Sequence, residues 1–370
     1  MRIAELERKH GGFYVPTAVI KVGGEDVLRD LYLAVSEVSV DLKEKAAARF
    51  SFTVASAFDW EAGEFLATRA KKRVDLLEQF AFGRKVEVGL GYGDPAKLGQ
   101  PMLTGVLTEI TTDFATGSTP TLTVSGYDDL YPLTVGKNTR HWENKPDSAA
   151  VQDVAGIGGV ATDVRPTSPV KLTIDQNNLS DMAFVGELAE RNGATFYHRN
   201  RKLYFGRRRN DASDIVELDW GQGLLSFRPE ANLARQVAEV QVHGWSAAKG
   251  EVVLGRARRG EESGRDARKK SGGERVVTAL SSTPVLHLRA AVHTQEEADA
   301  RAKAVLEERG QDFVTGSGES IGVPEILPDT NVALGGLGRA FSRTYYVSAA
   351  NHRLDANGYH TTFTVQEATI

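Results

Sequence analysis

The feature that most constrains this chain is a period-two alternation of apolar and polar residues, repeated in short runs separated by turn residues. Thr17–Val22, Val35–Val40, Arg49–Val54, Lys85–Tyr92, Leu103–Ile110 and Thr121–Tyr127 all show it before residue 132. Successive side chains of a strand point to opposite faces, so each run reads as a half-buried strand with one face on a core. Gly93-Asp94-Pro95 supplies a turn after one of them, and 37 glycines in all favour a chain rich in tight turns. About six or seven short strands at this spacing predict a closed or nearly closed barrel, because closure removes exposed sheet edges. Between Trp60 and Phe82 the spacing of Val74, Leu76 and Leu77 predicts one helix. Residues 1–132 are therefore expected to form a β-barrel domain with a helix.

Residues 133–209 differ in texture and are expected to form a small α/β insert. Ser148–Ile157 suits a short helix and Lys171–Ile174 a strand. Within Gln176–Arg208, Ser180 can cap a helix whose Met182, Val185, Leu188 and Ala189 share a face, and Asn192-Gly193 ends it. Thr195–Tyr197 and Leu203–Phe205 then read as a hairpin turning at Arg199-Asn200.

Residues 210–370 repeat the order of the first domain. Strands are expected at Leu224–Phe227, Gln236–Trp245, Val332–Leu334, Tyr345–Ser348 and His360–Val365, with a hairpin turn at Asp355–Gly358. Thr294 opens a helix, with Glu297 placed to complete a capping box. Ala298, Ala302, Val305 and Leu306 form its buried stripe, and Gly310 its stop. The run of about 256–275, RARRGEESGRDARKKSGGER, is charged and without aromatics, and is expected to be a mobile loop. The fold class is thus mainly β: two barrel domains in one chain plus a small α/β insert.

Composition excludes several kinds of chemistry. The chain has no cysteine, which removes disulfides, thiolate nucleophiles and cysteine-bound zinc. A formal charge of −4 gives no global footprint for nucleic acid. The N-terminal MRIAELERKH lacks the apolar core of a secretory signal, and no apolar run is long enough to span a bilayer. Synthesis and folding in the cytoplasm without membrane insertion is the expectation.

Candidate sites each meet a plainer reading. Gly89-Leu90-Gly91-Tyr92-Gly93 resembles a dinucleotide loop, but Pro95 follows where a helix should begin, so it reads as a strand and turn. Gly335-Gly336-Leu337-Gly338 reads likewise. Histidines 198, 243, 287, 293, 352 and 360 are scattered, and although His352 and His360 flank one hairpin, no HExxH or carboxylate partner accompanies them. No GxSxG elbow occurs. Asp59 with Glu61 and Glu64, or Asp128 with Asp129, are the carboxylate pairs a glycosidase would need, yet such neighbours commonly cap turns. The basic run near 256–275 and Arg207-Arg208-Arg209 can meet phosphate non-specifically, but carry no aromatics for base stacking. No catalytic, cofactor-binding or metal-binding residue is assigned.

Several fragments together resemble the phage late control protein D family, the baseplate hub proteins of contractile tails and contractile injection systems. They are Val86–Tyr92, Leu103–Ile110, the TLTVSGYD of Thr121–Asp128, the Ser180–Gly206 helix and hairpin, Glu296-Glu297-Ala298, Gly322-Val323-Pro324, Gly336-Leu337-Gly338, Tyr345-Tyr346-Val347, and His352 with Gly358-Tyr359. The resemblance implies two tail-tube-like barrels per chain and a homotrimeric ring. Three chains with two barrels each would adapt a hexameric inner tube to a trimeric spike. It further implies tape-measure, LysM-type and baseplate wedge proteins as partners, no cofactor, and a place in a phage tail or injection particle. In the related hub–spike fusions of type VI secretion the spike continues the chain; here, with the last strand ending near Ile370, the spike is expected to be a separate chain. A tail-associated peptidoglycan hydrolase is the alternative.

Overall fold

The computed structural model describes all residues of the chain except 70, 71, 211, 214 and 264–268. A short helix α1 (Ile3–Lys9) precedes the first module. Its strands are β1 (Pro16–Val22), β2 (Glu25–Asp26), β3 (Ala34–Lys43), β4 (Arg49–Ala55), β5 (Phe58–Asp59), β6 (Glu64–Arg69), β7 (Lys72–Asp75), β8 (Lys85–Tyr92), β9 (Leu103–Asp113) and β10 (Thr121–Asp128), with one helical turn α2 (Leu76–Gln79). Seven of them form an antiparallel sheet in the order β2-β1-β8-β9-β10-β4-β3. The alternating positions Val38, Val40, Phe50, Phe52, Val54, Val86, Val88, Leu122 and Val124 meet in one core. β1 and β3 are not hydrogen-bonded to each other. The connection from β2 to β3 contributes Val27, Leu31 and Leu33 to the same core.

The insert contains α3 (Tyr131–Thr134), β11 (Asn138–Lys145), α4 (Asp147–Ile157), β12 (Thr162–Val164), β13 (Lys171–Leu179), α5 (Asp181–Asn192), β14 (Ala194–Arg199) and β15 (Lys202–Arg207). Ser180 Oγ accepts the Ala183 N–H at 3.2 Å, and Gly193 ends α5 at φ 59°, which a side chain would strain. Phe184, Val185, Leu188 and Ala189 are buried, and Trp142 stacks on Phe184 at 5.2 Å. Asn200 and Arg201, both at positive φ, turn the β14–β15 hairpin, one residue later than Arg199-Asn200.

The remaining elements are β16 (Val216–Trp220), β17 (Gly223–Ala231), β18 (Glu239–Ser246), β19 (Glu251–Arg258), α6 (Gly272–Leu280), β20 (Val285–Arg289), α7 (Gln295–Gln311), β21 (Val314–Ile321), β22 (Thr330–Gly335), α8 (Gly338–Phe341), β23 (Arg343–Asp355) and β24 (Gly358–Glu367). β23, β22, β16, β17, β21 and β24 close into a six-stranded barrel, because β24 also pairs with β23. Val216, Leu218, Val332, Tyr345, Val347 and Val365 lie in its core. β23 further pairs with β3, from Val38↔Leu354 to Ala349↔Lys43, so both modules share one sheet of 13 strands. β3 thus has β4 on one edge and β23 on most of the other. That pairing explains why the first module stays open.

Three expectations are corrected here. The segment 60–82 is not one helix. Phe65 and Ala67 are buried at alternate positions of β6, Leu76 is buried and Leu77 is exposed. β6 pairs with β5 and β7, and its apolar side chains follow the period of two that a strand requires, not the spacing of a helix face. The strand expected at 236–245 does not belong to the second barrel. β18 pairs with β19 and β20 in a separate sheet, whose Val240, Val242, Val253 and Ala257 pack under Ala298, Ala302, Val305 and Leu306 of α7. The stretch 256–275 is not one loop: Arg256–Arg258 finish β19, and Ser271 starts α6 with a capping box to Glu274. Its centre, 264–268, lies outside the described residues.

Candidate functional site

The most developed polar constellation sits where insert, open sheet and closed barrel meet. Glu44 follows β3 directly, Asp329 precedes β22, Tyr346 lies on β23, and the β14–β15 hairpin brings Thr195, Tyr197, Arg208 and Arg209 to them. Glu44 accepts from Thr195 Oγ1 at 2.6 Å, Arg208 at 2.5 Å and Tyr346 Oη at 2.9 Å. Asp329 accepts from Tyr197 Oη at 2.9 Å, Arg209 Nε at 2.7 Å, the Arg209 N–H at 2.9 Å and Tyr346 Oη at 3.1 Å. Arg199 lies over the Tyr197 ring and Arg208 over Tyr346. Burial, then the Glu44 and Asp329 carboxylates, push the Tyr346 hydroxyl well above its ordinary range. Burial works against the Arg208 charge, but Glu44 and Tyr346 hold it above its usual value.

This node is a lock more than a reaction centre. Both carboxylates are paired with guanidinium groups, as buried charge requires. The cavity beside Arg208 measures about 30 Å³, room for about one water. Arg208 and Arg209, grouped above with the phosphate-binding candidates, are instead committed to Glu44 and Asp329. Sequence reasoning missed the node because its members come from four distant segments; the Arg207–Arg209 run was the visible signal.

The other candidates are placed apart. Asp59 accepts the Glu61 and Ala62 N–H groups and pairs with Arg73 at 3.3 Å. The Ala62 N–H leads the contacts that lower its carboxyl below the ordinary value. Asp128 is buried between the N–H groups of Ala48 and Leu130, and burial raises its carboxyl to about 7. Asp129 takes Thr104 Oγ1 at 2.5 Å and Lys85 at 3.2 Å. Both aspartates therefore act as turn caps and anchors. Gly89 and Gly91 lie within β8, and Leu98 packs where a Cβ on Gly91 would sit. His352 is wholly buried between Tyr359 Oη and the Ile326 carbonyl, each at 2.9 Å. His360 lies one register position away and faces Glu319 instead, so the two rings do not converge. His243 and His287 approach at 3.3 Å on adjacent strands. Among the described residues no group of three or more His, Asp or Glu side chains could hold a metal ion. Two contacts escaped the sequence reading: His10 meets Glu325 at 2.9 Å, and His141 meets Asp175 at 2.5 Å.

This fold is similar to those of solved phage tail proteins. The 43 kDa tail protein of prophage MuSo2 from Shewanella oneidensis superimposes with a TM-score of 0.68 at 14% identity, covering 95% of this chain and 98% of that one. The tail protein from Neisseria meningitidis MC58 gives 0.68 at 13% identity, over 96% and 97%. The E. coli c3393 protein, a type VI secretion component with structural similarity to the T4 tail proteins gp27 and gp5, gives 0.58 at 11% identity, over 94% and 76%. By sequence the chain belongs to the Alg8 N-terminal domain family, whose pattern matches residues 17–356. That is not the late control protein D family its fragments resemble. No curated protein matches the sequence. No helix among the described residues is long and apolar enough to cross a membrane.

Proposed function

We propose that this chain is a structural baseplate hub of a contractile phage tail or tail-like injection particle. In this reading it works in a homotrimeric ring that adapts a hexameric inner tube to a trimeric spike, and it acts by assembly instead of catalysis. The observation that carries the reading is the continuity of β3 with β23. Two β modules, each with its own core, are joined through one continuous sheet, the arrangement that would let three chains offer six similar units. Likeness along nearly the whole length of two tail proteins supports the same reading. The late control protein D resemblance belongs to it, as do a spike on a separate chain, contacts with tape-measure, LysM-type and baseplate wedge proteins, and a place in the particle.

A permanent ring of this kind buries roughly 2,000 Å² or more between subunits. Light scattering on the purified chain assembled with tube and spike partners is expected to count three copies of the 40.2 kDa protomer. A protomer that stays single with both partners present would overturn the trimeric hub.

A further inference from the structure

At the end of β3 and β4 away from Glu44, the arm formed by β5, β6 and β7 stands beside the β9–β10 turn. Four rings pack there: Phe58 lies 5.2 Å from Trp60, 5.1 Å from Phe65 and 5.5 Å from Phe114. Phe65 is 3% exposed and belongs to the core, whereas Trp60 is 71% and Phe114 60% exposed. Exposed apolar side chains scattered singly are ordinary, but two neighbouring rings held on a buried base form a fixed anchor. A groove of about 420 Å³ runs along the foot of the arm, between Leu31, Tyr32 and Leu33 on one wall and Ala55, Ala57 and Leu66 on the other. Tyr32, at φ 51°, is 80% exposed at its rim.

The charges next to Trp60 in the chain are acidic, while the basic Arg69, Lys72 and Arg73 stand further along the arm on β6 and β7. Asp59 is occupied by its N–H contacts and Arg73. Glu61, Glu64 and Asp113 are exposed and form no ion pair among the described residues. Carboxylates around an open indole face favour a guanidinium or ammonium group, which the ring quadrupole also attracts.

We infer that the arm is a docking surface for a segment of a different protein that carries aliphatic and basic side chains. The aliphatic side chains enter the groove, and a lysine or arginine lies over Trp60 among Glu61, Glu64 and Asp113. The inference rests on the reading of the chain as a part of a particle, and adds to it the place and chemistry of one contact.

The test uses the full chain, with a photoreactive residue placed at the exposed position 60. Trp60→p-benzoylphenylalanine is introduced in cells that produce the particle, the particles are purified and irradiated, and adducts are mapped by mass spectrometry. The expected adduct joins position 60 to a lysine- or arginine-bearing segment of another particle protein. Adding Glu61→Lys and Glu64→Lys should reduce it about tenfold, with the circular dichroism melt unchanged. Particles that contain the chain but give no adduct, an adduct to a second copy or to a glycan, or an adduct indifferent to charge reversal, overturn the docking site and leave the hub reading standing. Particles without the chain overturn both.

Discussion

Glu44 accepts hydrogen bonds from a threonine, an arginine and a tyrosine that reach it from two other parts of the chain. Glu44→Ala would leave the buried Arg208 without its hydrogen-bonded counter-charge, a change that typically costs about 3–5 kcal/mol. Urea unfolding followed by tryptophan fluorescence should show a lower midpoint of that size, and an unchanged midpoint would remove the node from the stability argument. Two other buried groups set opposing pH responses. Burial lowers His352 to about 4, so the unfolded chain binds its proton first as pH drops below the ordinary value of 6.5. Its contribution is complete above about 6.5 and declines as pH falls to about 4, by on the order of 3 kcal/mol. Asp128, raised to about 7, keeps its proton in the folded state, so its contribution grows over the same descent and is lost as pH rises through 7. His352→Gln should flatten the acid decline in chemical denaturation between pH 6.5 and 4, and Asp128→Asn should steepen it. The reverse pattern would show that other groups govern this range. Ser180 was legible as a cap from its neighbours alone, because a cap is a local contact. Arg208 was not, because its partner lies 164 positions away.

At the scale of elements, α7 shows how a lobe is held. Thr294 caps it as expected, but Glu297 accepts the N–H of His293, one residue before the cap, and the helix runs one residue past Gly310. Its backbone lies directly on β19: a Cβ added to Gly255 would stand 2.1 Å from the Ala298 carbonyl. Gly255→Ala must therefore push helix from strand, and overpacking of this kind typically costs about 1–3 kcal/mol. Hydrogen exchange should quicken in β18, β19 and α7 while the closed barrel keeps its protection. Uniform loss across the chain would mean that the lobe is not a separate unit. The arm at 58–75 was misread because its turns and short strands carry too few residues for either periodicity to dominate. The charged run was read as a loop because composition hides the two ends that neighbouring elements order. Arg258 continues β19 opposite Glu239, and Arg275 reaches the Ile370 carbonyl.

For the whole molecule, the sequence determined what is local: a mainly β chain, the alternating core faces, the capped helix and hairpin of the insert, and the absence of thiol chemistry. Those follow from side-chain periodicity and backbone sterics within a few residues. Tertiary structure alone decided the rest. It decided that β3 would pair with β23 and leave the first sheet open. It took β18, β19, β20 and α7 out of the barrel and set α7 against α5 of the insert, where Arg301 donates to the Glu190 carbonyl. It also drew Glu44, Arg208, Asp329 and Tyr346 into one buried network. Free strand edges and buried charges accept any partner of the right geometry, and no residue's neighbours in sequence reveal which partner arrives.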